Sequence, residues 1–328
     1  MSAQPEAIRC AVVGLGRVGS LLEDDELREK PATHTGAVVA NEDCELVGGC
    51  DIDEQRRAAF RDRWGCPQTY GDVEKLIAET RPDILCVATH PDSHYRMVRA
   101  ASRGGVTVAV CEKPLAHRLG HAKRIARLHR SGLVTVITNH ERRYSADYLA
   151  VRECVRSGTY GRILSVRGTL YFGQGRHDQV LLHDGTHMVD IINFLLGGRA
   201  HPARRFGRMR SRTSSAYLFG RIKGVPVVIE VGSERDHLVF ELELSFERGR
   251  VRVGNGVLSF EGSVESPFYE NYRSLRLEQT PAIEKTGYFA NMIADAVRCV
   301  RDPAHEPVSS AADGLEVMRF ISAVRARR

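Results

Sequence analysis

From Ile8 to Ala88 the chain alternates short apolar runs with stretches whose apolar residues recur at helical spacing. "IRCAVVGLG" reads as a strand that runs into a glycine turn and a helix start. "CELVGGCDID" reads as a second strand, "EQRRAAFRDRWG" as a helix, and "VEKLIAETRPDILCVATH" as a helix and then a strand. The series continues with the helix "DSHYRMVRAASRGG", stopped by glycines, the strand "VTVAVCEKP", the helix "GHAKRIARLHRSG" and the strand "LVTVITNH". Continuous apolar strands between amphipathic helices predict a parallel sheet covered on both faces, an α/β doubly wound domain over residues 1–139.

After about His140 the pattern changes. One helix, "SADYLAVRECVRSG", and one strand, "RILSVRGTLYFG", precede "LLHDGTHMVD" and an apolar helix through "HMVDIINFLLGG" that Gly197 and Gly198 end. From Pro202 to Gln279 the chain is strand-rich, with "SAYLFGRI", "VPVVIEVGS", "LVFELELSF" and "RVRVGNGVLSFEG" separated by glycine-containing turns. These alternating runs predict a large open sheet, antiparallel or mixed. The helices "GYFANMIADAVRCVRD" and "SAADGLEVMRFISAVRARR" close the chain, and residues 140–328 are expected to form a second, α/β domain.

Length and composition narrow the function classes. At 328 residues two domains are the default, and the apolar and charged fractions are those of a globular protein. The net charge of +6 is scattered over every segment apart from the tail "RARR", which argues against nucleic acid as a partner. The eight cysteines show no CxxC pairing, and several fall in strands expected to be buried, which fits reduced thiols. "MSAQPEAIRC" lacks the pattern of a signal segment, and no apolar run approaches the ~20 residues of a membrane helix. A cytoplasmic protein without a membrane partner is expected.

Two stretches carry candidate chemistry. "GLGRVG" (Gly14, Leu15, Gly16, Arg17, Val18, Gly19) follows a strand, so Gly14 permits a tight turn, Gly16 a close approach by a pyrophosphate, and Gly19 close packing of a helix on the sheet. A glycine turn without a ligand is the plainer alternative. Asp51, followed by Ile52, ends the second strand, where a carboxylate accepts hydrogen bonds from an adenosine ribose and repels a 2′-phosphate; NAD is favoured over NADP. Asp51 can also be a mere strand-end turn residue. Its distance from the glycines exceeds the usual ~20 residues, so an insertion is expected, with "LLEDDELREKPAT" the candidate.

In "CEKP", Lys113 follows Glu112 at a strand end, where a lysine can hold positive charge against a substrate oxygen or simply sit in a surface turn. In "LLHDGTHMVD", His183, Asp184 and His187 share one face if the helix starts early enough. Three readings compete. His183 and His187 can be zinc ligands in the manner of HExxH, although the glutamate and a third ligand are missing. Asp184 can be a helix N-cap beside two polar edge residues. Alternatively His187, with an unperturbed pKa near ~6.5, exchanges a proton with a substrate hydroxyl while an adjacent carboxylate orients it, which leads on local grounds and calls for no metal.

"GLGRVG", "CDID", "VATHPDSH", "CEKPLA" and "HDGTHMVD" occur in the order and approximate spacing of the oxidoreductase family named for glucose-fructose oxidoreductase, inositol dehydrogenase and the rhizopine-catabolism protein (Gfo/Idh/MocA), which the chain resembles over nearly its whole length. The resemblance implies an N-terminal Rossmann domain and a C-terminal α/β domain whose open sheet mediates a homodimer or homotetramer. It also implies hydride transfer between NAD(H) or NADP(H) and a secondary alcohol or ketone of a sugar, cyclitol or small polyol. By that likeness Lys113 assists at the reacting oxygen and His187 acts as base or acid. Thr89, His90 and His94 match a segment lining the cofactor cleft, with His90 in place of the usual proline, and Arg143 in "ERRY" matches an arginine at the domain junction.

Two departures stand out. His183 occupies the place of the family's carboxylate, four residues before His187, so Asp184, three before, is expected to substitute. The segment after "TLYFG" lacks the customary "GGG" and offers Tyr171, Gln174, Arg176 and His177 for substrate contacts, which suits a small or anionic substrate. Two alternatives stand beside this reading: a redox-neutral hydrolase or lyase using tightly held NAD, as in some relatives on this scaffold, and a non-catalytic cofactor-sensing or regulatory protein.

Overall fold

The apolar runs of the N-terminal half become β1 (Ile8–Val13), β2 (Cys44–Cys50), β3 (Thr69–Tyr70), β4 (Ile84–Val87), β5 (Val108–Cys111) and β6 (Thr135–Thr138) in the computed structural model, which describes residues 6–212, 214–278, 280, 282–283 and 285–326. Arg327 and Arg328 of the basic tail and Gln279 lie outside the described residues. The strands form one sheet in the order β3-β2-β1-β4-β5-β6, with every pairing parallel. β4 and β5 are buried at every position, which is why they read as unbroken apolar runs. Between the strands run α1 (His34–Val39), α2 (Glu54–Trp64), α3 (Val73–Thr80), α4 (His94–Arg103) and α5 (Leu119–Arg130). Strand order reverses at β1 and β4, the switch point where open α/β sheets bind ligands beyond the strands' carboxyl ends.

The second unit holds α6 (Ala146–Ser157), β7 (Ile163–Tyr171), α7 (His177–His183), α8 (Gly185–Leu196), β8 (His201–Phe206), β9 (Ser215–Ile222), β10 (Val225–Gly232), β11 (Val239–Phe246), β12 (Gly249–Gly254), β13 (Val257–Glu265) and β14 (Arg273–Leu277). Its sheet runs β14-β13-β12-β11-β7-β10-β9-β8, with β7 and β10 parallel and the other neighbours antiparallel. Alternation sorts the faces: Phe240, Leu242, Leu244 and Phe246 of β11 are buried, while Glu241, Glu243 and Ser245 face the other way. On that second face Glu243 lies opposite both Arg167 and Arg252, an opposite-charge ladder across three strands. The edge strands β8, "HPARRF", and β14, "RSLRL", carry few apolar residues and little alternation, so the sequence pattern did not announce them.

The expected boundary at residue 140 needs correction. The first unit runs on to Tyr144 and takes back Lys285–Met318, while the second holds Ser145–Glu284 and the last residues; the division falls within the closing helix. The reason is where one apolar stripe is buried. Phe289, Met292, Ile293, Ala296 and Val297 of α9 (Tyr288–Arg301) join the same core as Ile8, Cys10, Val12 and Ile137. α10 (Ala311–Ala326) comes next. Asp295 on α9, fully buried, accepts from Tyr144 Oη (2.9 Å), His305 Nε2 (2.7 Å), Arg298 Nη2 (3.1 Å) and the Val308 amide (2.9 Å), which ties the returning segment to the turn after β6.

A second correction concerns the glycine turn, which does not open a regular helix. Ser20 and Leu21 donate to Gly16 O at 2.9 and 3.1 Å, a 3-10 turn comes after it at Leu21–Asp24, and the chain then leaves the helix axis until Thr33. α1 picks the ladder up again: His34 N donates to Val18 O (3.0 Å) and Thr35 N to Gly19 O (3.1 Å). The stretch "LLEDDELREKPAT" is therefore an excursion out of one helix, as its charge and its proline suggested. Internal acceptors hold it. The Glu23 carboxylate takes Thr33 Oγ1 at 2.6 Å and Ala32 N at 3.1 Å, and Glu29 takes Thr286 N, Thr286 Oγ1 and Gly287 N at 2.7–2.8 Å, just before α9.

Burial pushes the Glu29 carboxyl up, but the amides of Gly287 and Thr286 outweigh it and hold it below the usual carboxylate range. A depressed folded-state value adds stability above the unfolded value of ~4.3, and that stability is lost as pH falls through the lower folded value. Glu29→Gln is expected to lower stability by about 1 kcal/mol at neutral pH. Urea unfolding of both proteins should show the difference shrinking below pH ~4.

Candidate active site

At the carboxyl end of β1 the three glycines meet different surroundings. Gly14 has φ +90°, and a Cβ there would lie 2.6 Å from Ala88 C and O; on Gly19 it would lie 1.9 Å from Gly14 O. Both are glycines because backbone must touch backbone. Gly16 is not so constrained: the nearest atom to an added Cβ is Arg56 Nη1 at 3.5 Å, an ordinary contact, so no backbone approach demands glycine there. Among the described residues the amides of Gly16, Arg17 and Val18 have no hydrogen-bond acceptor. A glycine loop whose amides have no acceptor within the protein is an arrangement that receives a pyrophosphate, and the residues present fit that group.

Asp51 closes the loop from the end of β2. It is 7% exposed, and its Oδ2 accepts Leu15 N at 2.9 Å while Oδ1 accepts Asp53 N at 3.0 Å, the turn role foreseen as its plainer alternative. Each oxygen keeps lone pairs for further donors, and the carboxylate cannot swing away. Arg56 Nη1 stands 3.6 Å from Asp51 Oδ2, and Ile52 is 92% exposed beside them.

After β4, Thr89 Oγ1 accepts from Ser93 Oγ at 2.7 Å, and His90 is exposed. His94 differs from its expected place on a cleft wall. It is fully buried, with Nδ1 3.1 Å from Pro114 O and Nε2 2.9 Å from Thr89 O, so it staples the β4 turn to the β5 turn.

Glu112, the residue after β5, is nearly buried. Its Oε1 meets His34 Nε2 at 2.9 Å and Asn139 Nδ2 at 2.5 Å, and its Oε2 accepts the Lys113 amide at 3.2 Å. Burial opposes its ionisation, yet the bond from His34 and the charges of His34 and Lys113 hold its carboxyl below the ordinary range. Lys113 is half-buried. A second carboxylate faces it from the 3-10 turn Glu141–Tyr144: burial pushes Glu141 up, opposed by Arg142, at 3.0 Å, and by Lys113. Arg143, matched by likeness to an arginine at the domain junction, is 5% exposed and donates to Val308 O at 2.8 Å with Asp313 Oδ2 at 3.2 Å, so it braces the returning segment.

In the second unit, α7 and α8 meet at Asp184, which stays in the right-handed region, so helical geometry does reach His183. His187 N donates to Asp184 O at 3.2 Å. Asp184 stands at the N-cap of α8 but its side chain makes no capping bond, which removes the main support of the cap reading. His183 is exposed, Asp184 partly so, and His187 is 7% exposed on a helix whose residues 185–195 are all buried. Asp190, one helical step beyond His187 and 1% exposed, is a buried acid on the same face. No group of three or more His, Cys, Asp or Glu side chains able to hold a metal occurs among the described residues.

The remaining candidates spread out. Gln174 is exposed; Arg176 pairs with Asp178 through Nε at 3.1 Å, and Tyr171 lies 4.0 Å under the Arg235 guanidinium. His177 is fully buried, with Nδ1 3.1 Å from Arg208 O. The sequence reading gave no role to His34, Asn139, Glu141 or Asp190. Asp190 was visible in "HMVD", three residues after His187; the other three depend on packing between distant segments.

Residues 8–140 match the model of an oxidoreductase family with an NAD-binding Rossmann fold. A D-apiose dehydrogenase of Paraburkholderia graminis is 30% identical over 179 residues, 51% of this chain and 47% of that protein. A myo-inositol 2-dehydrogenase of Thermotoga maritima is 26% identical over 155 residues, 47% of this chain and 42% of its own length. The chain thus spans about half the length of the curated relatives it matches. A solved oxidoreductase of Agrobacterium radiobacter, in complex with NAD+, L-tartaric acid and magnesium, superposes with a TM-score of 0.72 over 97% of this chain and 95% of its own, at 19% identity, which shows a shared fold.

The three glycines make separable predictions. Gly16→Ala is expected to keep the wild-type melting temperature while weakening dinucleotide binding about 10-fold or more, by ~1.4 kcal/mol, in calorimetry. Gly19→Ala is expected to lose roughly 3 kcal/mol or more of stability in the melting curve, because its Cβ overlaps a carbonyl oxygen.

Proposed function

We propose, from a chain whose residues 8–140 belong to the Gfo/Idh/MocA oxidoreductase family, that this protein is an NAD-dependent dehydrogenase or reductase acting on a secondary alcohol or ketone of a sugar, cyclitol or related small polyol. The observation that carries the reading is the carboxyl edge of one sheet, where the uncrowded Gly16 follows β1, the fixed carboxylate of Asp51 follows β2 and Lys113 follows β5. The names of the relatives, a D-apiose and a myo-inositol dehydrogenase, support the polyol class.

Gly14–Gly19 would hold the pyrophosphate and Asp51 the adenosine ribose diol, with Ile52, Thr89 and Glu112 lining the same edge. NAD, when bound, supplies the hydride acceptor. Lys113 sets positive charge against the substrate oxygen and so lowers the cost of alkoxide character there. His187 takes the hydroxyl proton in oxidation and returns it in reduction, with Asp184 orienting the ring. A buried carboxylate at the ribose position repels a 2′-phosphate, which favours NAD over NADP despite Arg56 nearby. Assembly as a homodimer or homotetramer through the eight-stranded sheet, and residence in the cytoplasm with the eight cysteines reduced, complete the proposal. No helix among the described residues is long and apolar enough to cross a membrane.

Calorimetry with NAD(H) and NADP(H), together with an absorbance screen at the reduced-nicotinamide band against polyols and their keto forms, tests the assignment. NAD preference with a substrate-dependent absorbance change is expected, and Asp51→Ala should erode the preference about 10-fold, or ~1.4 kcal/mol. His187→Asn is expected to cut turnover about 100-fold or more while NAD affinity stays near wild type. Equal losses in both would remove His187 from the role of base.

A further inference from the structure

His34 is a fully buried imidazole to which the proposed chemistry assigns nothing. It is the first residue of α1, and its amide donates to Val18 O at 3.0 Å; the next residue, Thr35, gives both its amide (3.1 Å) and its hydroxyl (2.6 Å) to Gly19 O. Its backbone is thus fastened to the loop that would seat a pyrophosphate. Its ring reaches the other way. Nε2 lies 2.9 Å from Glu112 Oε1, and the opposite oxygen of that carboxylate accepts the amide of Lys113 at 3.2 Å. Because an ionised carboxylate only accepts, Nε2 carries the proton of the His34 bond. Phe289 holds the ring edge-on, with centroids 5.4 Å apart and planes at 84°.

We propose that His34 is a positioning residue, resting on the dehydrogenase reading above, which ties the dinucleotide loop to the catalytic lysine through three successive hydrogen bonds: Val18 O to His34 N, His34 Nε2 to Glu112, and Glu112 to Lys113 N. Asn139 gives Glu112 a second donor from the residue after β6, but among the described residues it is His34 whose backbone is hydrogen-bonded to the glycine loop. Seating an anion on the amides of Gly16 to Val18 draws on the same turn whose Val18 carbonyl holds His34. Placement of Lys113 is therefore coupled to occupancy of the loop.

The test compares wild type with His34→Leu, which keeps an apolar bulk against Phe289 but removes the donor, and His34→Gln, which keeps a donor. The first readout is trace acetylation of Lys113 by acetic anhydride in the ligand-free protein, scored by mass spectrometry relative to exposed lysines such as Lys75. The second is kcat, and the third is the dissociation constant for NAD. His34→Leu is expected to change the relative labelling of Lys113 by about 3-fold or more and to lower kcat about 10- to 100-fold, with NAD affinity changed less than about 3-fold. His34→Gln is expected to recover most of both effects.

Unchanged labelling and kcat in His34→Leu overturn the proposal. So do equal losses of kcat, NAD affinity and melting temperature in both variants, which is the signature of a residue that only supports the fold. If wild type proves to turn over no alcohol, the dehydrogenase reading fails by itself. Labelling of Lys113 still decides the role of His34: a change in His34→Leu that His34→Gln reverses sustains it, and no change overturns it.

Discussion

A carboxylate that has left water must be met by donors, and at the end of β5 this requirement organises its neighbourhood. Glu112 draws one donor from α1, one from the residue after β6 and one from the backbone of its own successor, Lys113. Each partner comes from a different segment of the first unit, so the carboxyl ends of β5 and β6 and the start of the first helix are registered against one group. Ionisation of Glu112 survives burial because the donors outweigh the desolvation cost. The arrangement needs all of its parts, since a lone carboxylate at that depth would be driven to protonate.

Much of the fold was legible because period and burial coincide. β4 and β5 read as continuous apolar runs and are buried on both sides; β11 alternates and has one buried face. Where the correspondence weakens, so does the reading. β8 and β14 lie on sheet edges, where little selects for apolar side chains. The stripe of α9 was visible, but periodicity says only that a face is buried and not against which core, so its return to the first unit could not be read from it.

The candidate site divides in a similar way. Gly14, Asp51, Lys113 and His187 stand in local patterns whose spacing carries meaning, so a sequence reading can single them out. His34 and Glu141 become part of the lysine's surroundings only after distant segments pack, and no local motif marks them. Two residues singled out by likeness, His94 and Arg143, turn out to brace backbone carbonyls. Polar residues next to a site often hold its walls, and a match of residue type does not separate wall from lining.

The excursion between Ser20 and Thr33 leaves and rejoins a single helical ladder, so the angular position of every later α1 residue is decoupled from the number of residues spent outside. His34 points at Glu112 because Val18 and Gly19 receive the two amides that open α1, whatever lies between. Such a splice is a point where a chain tolerates gain or loss of residues without rotating the helix beyond it. Insertions here can diversify the surface of a Rossmann domain, or acquire contacts such as the one Glu29 makes, while the geometry around the lysine is inherited intact.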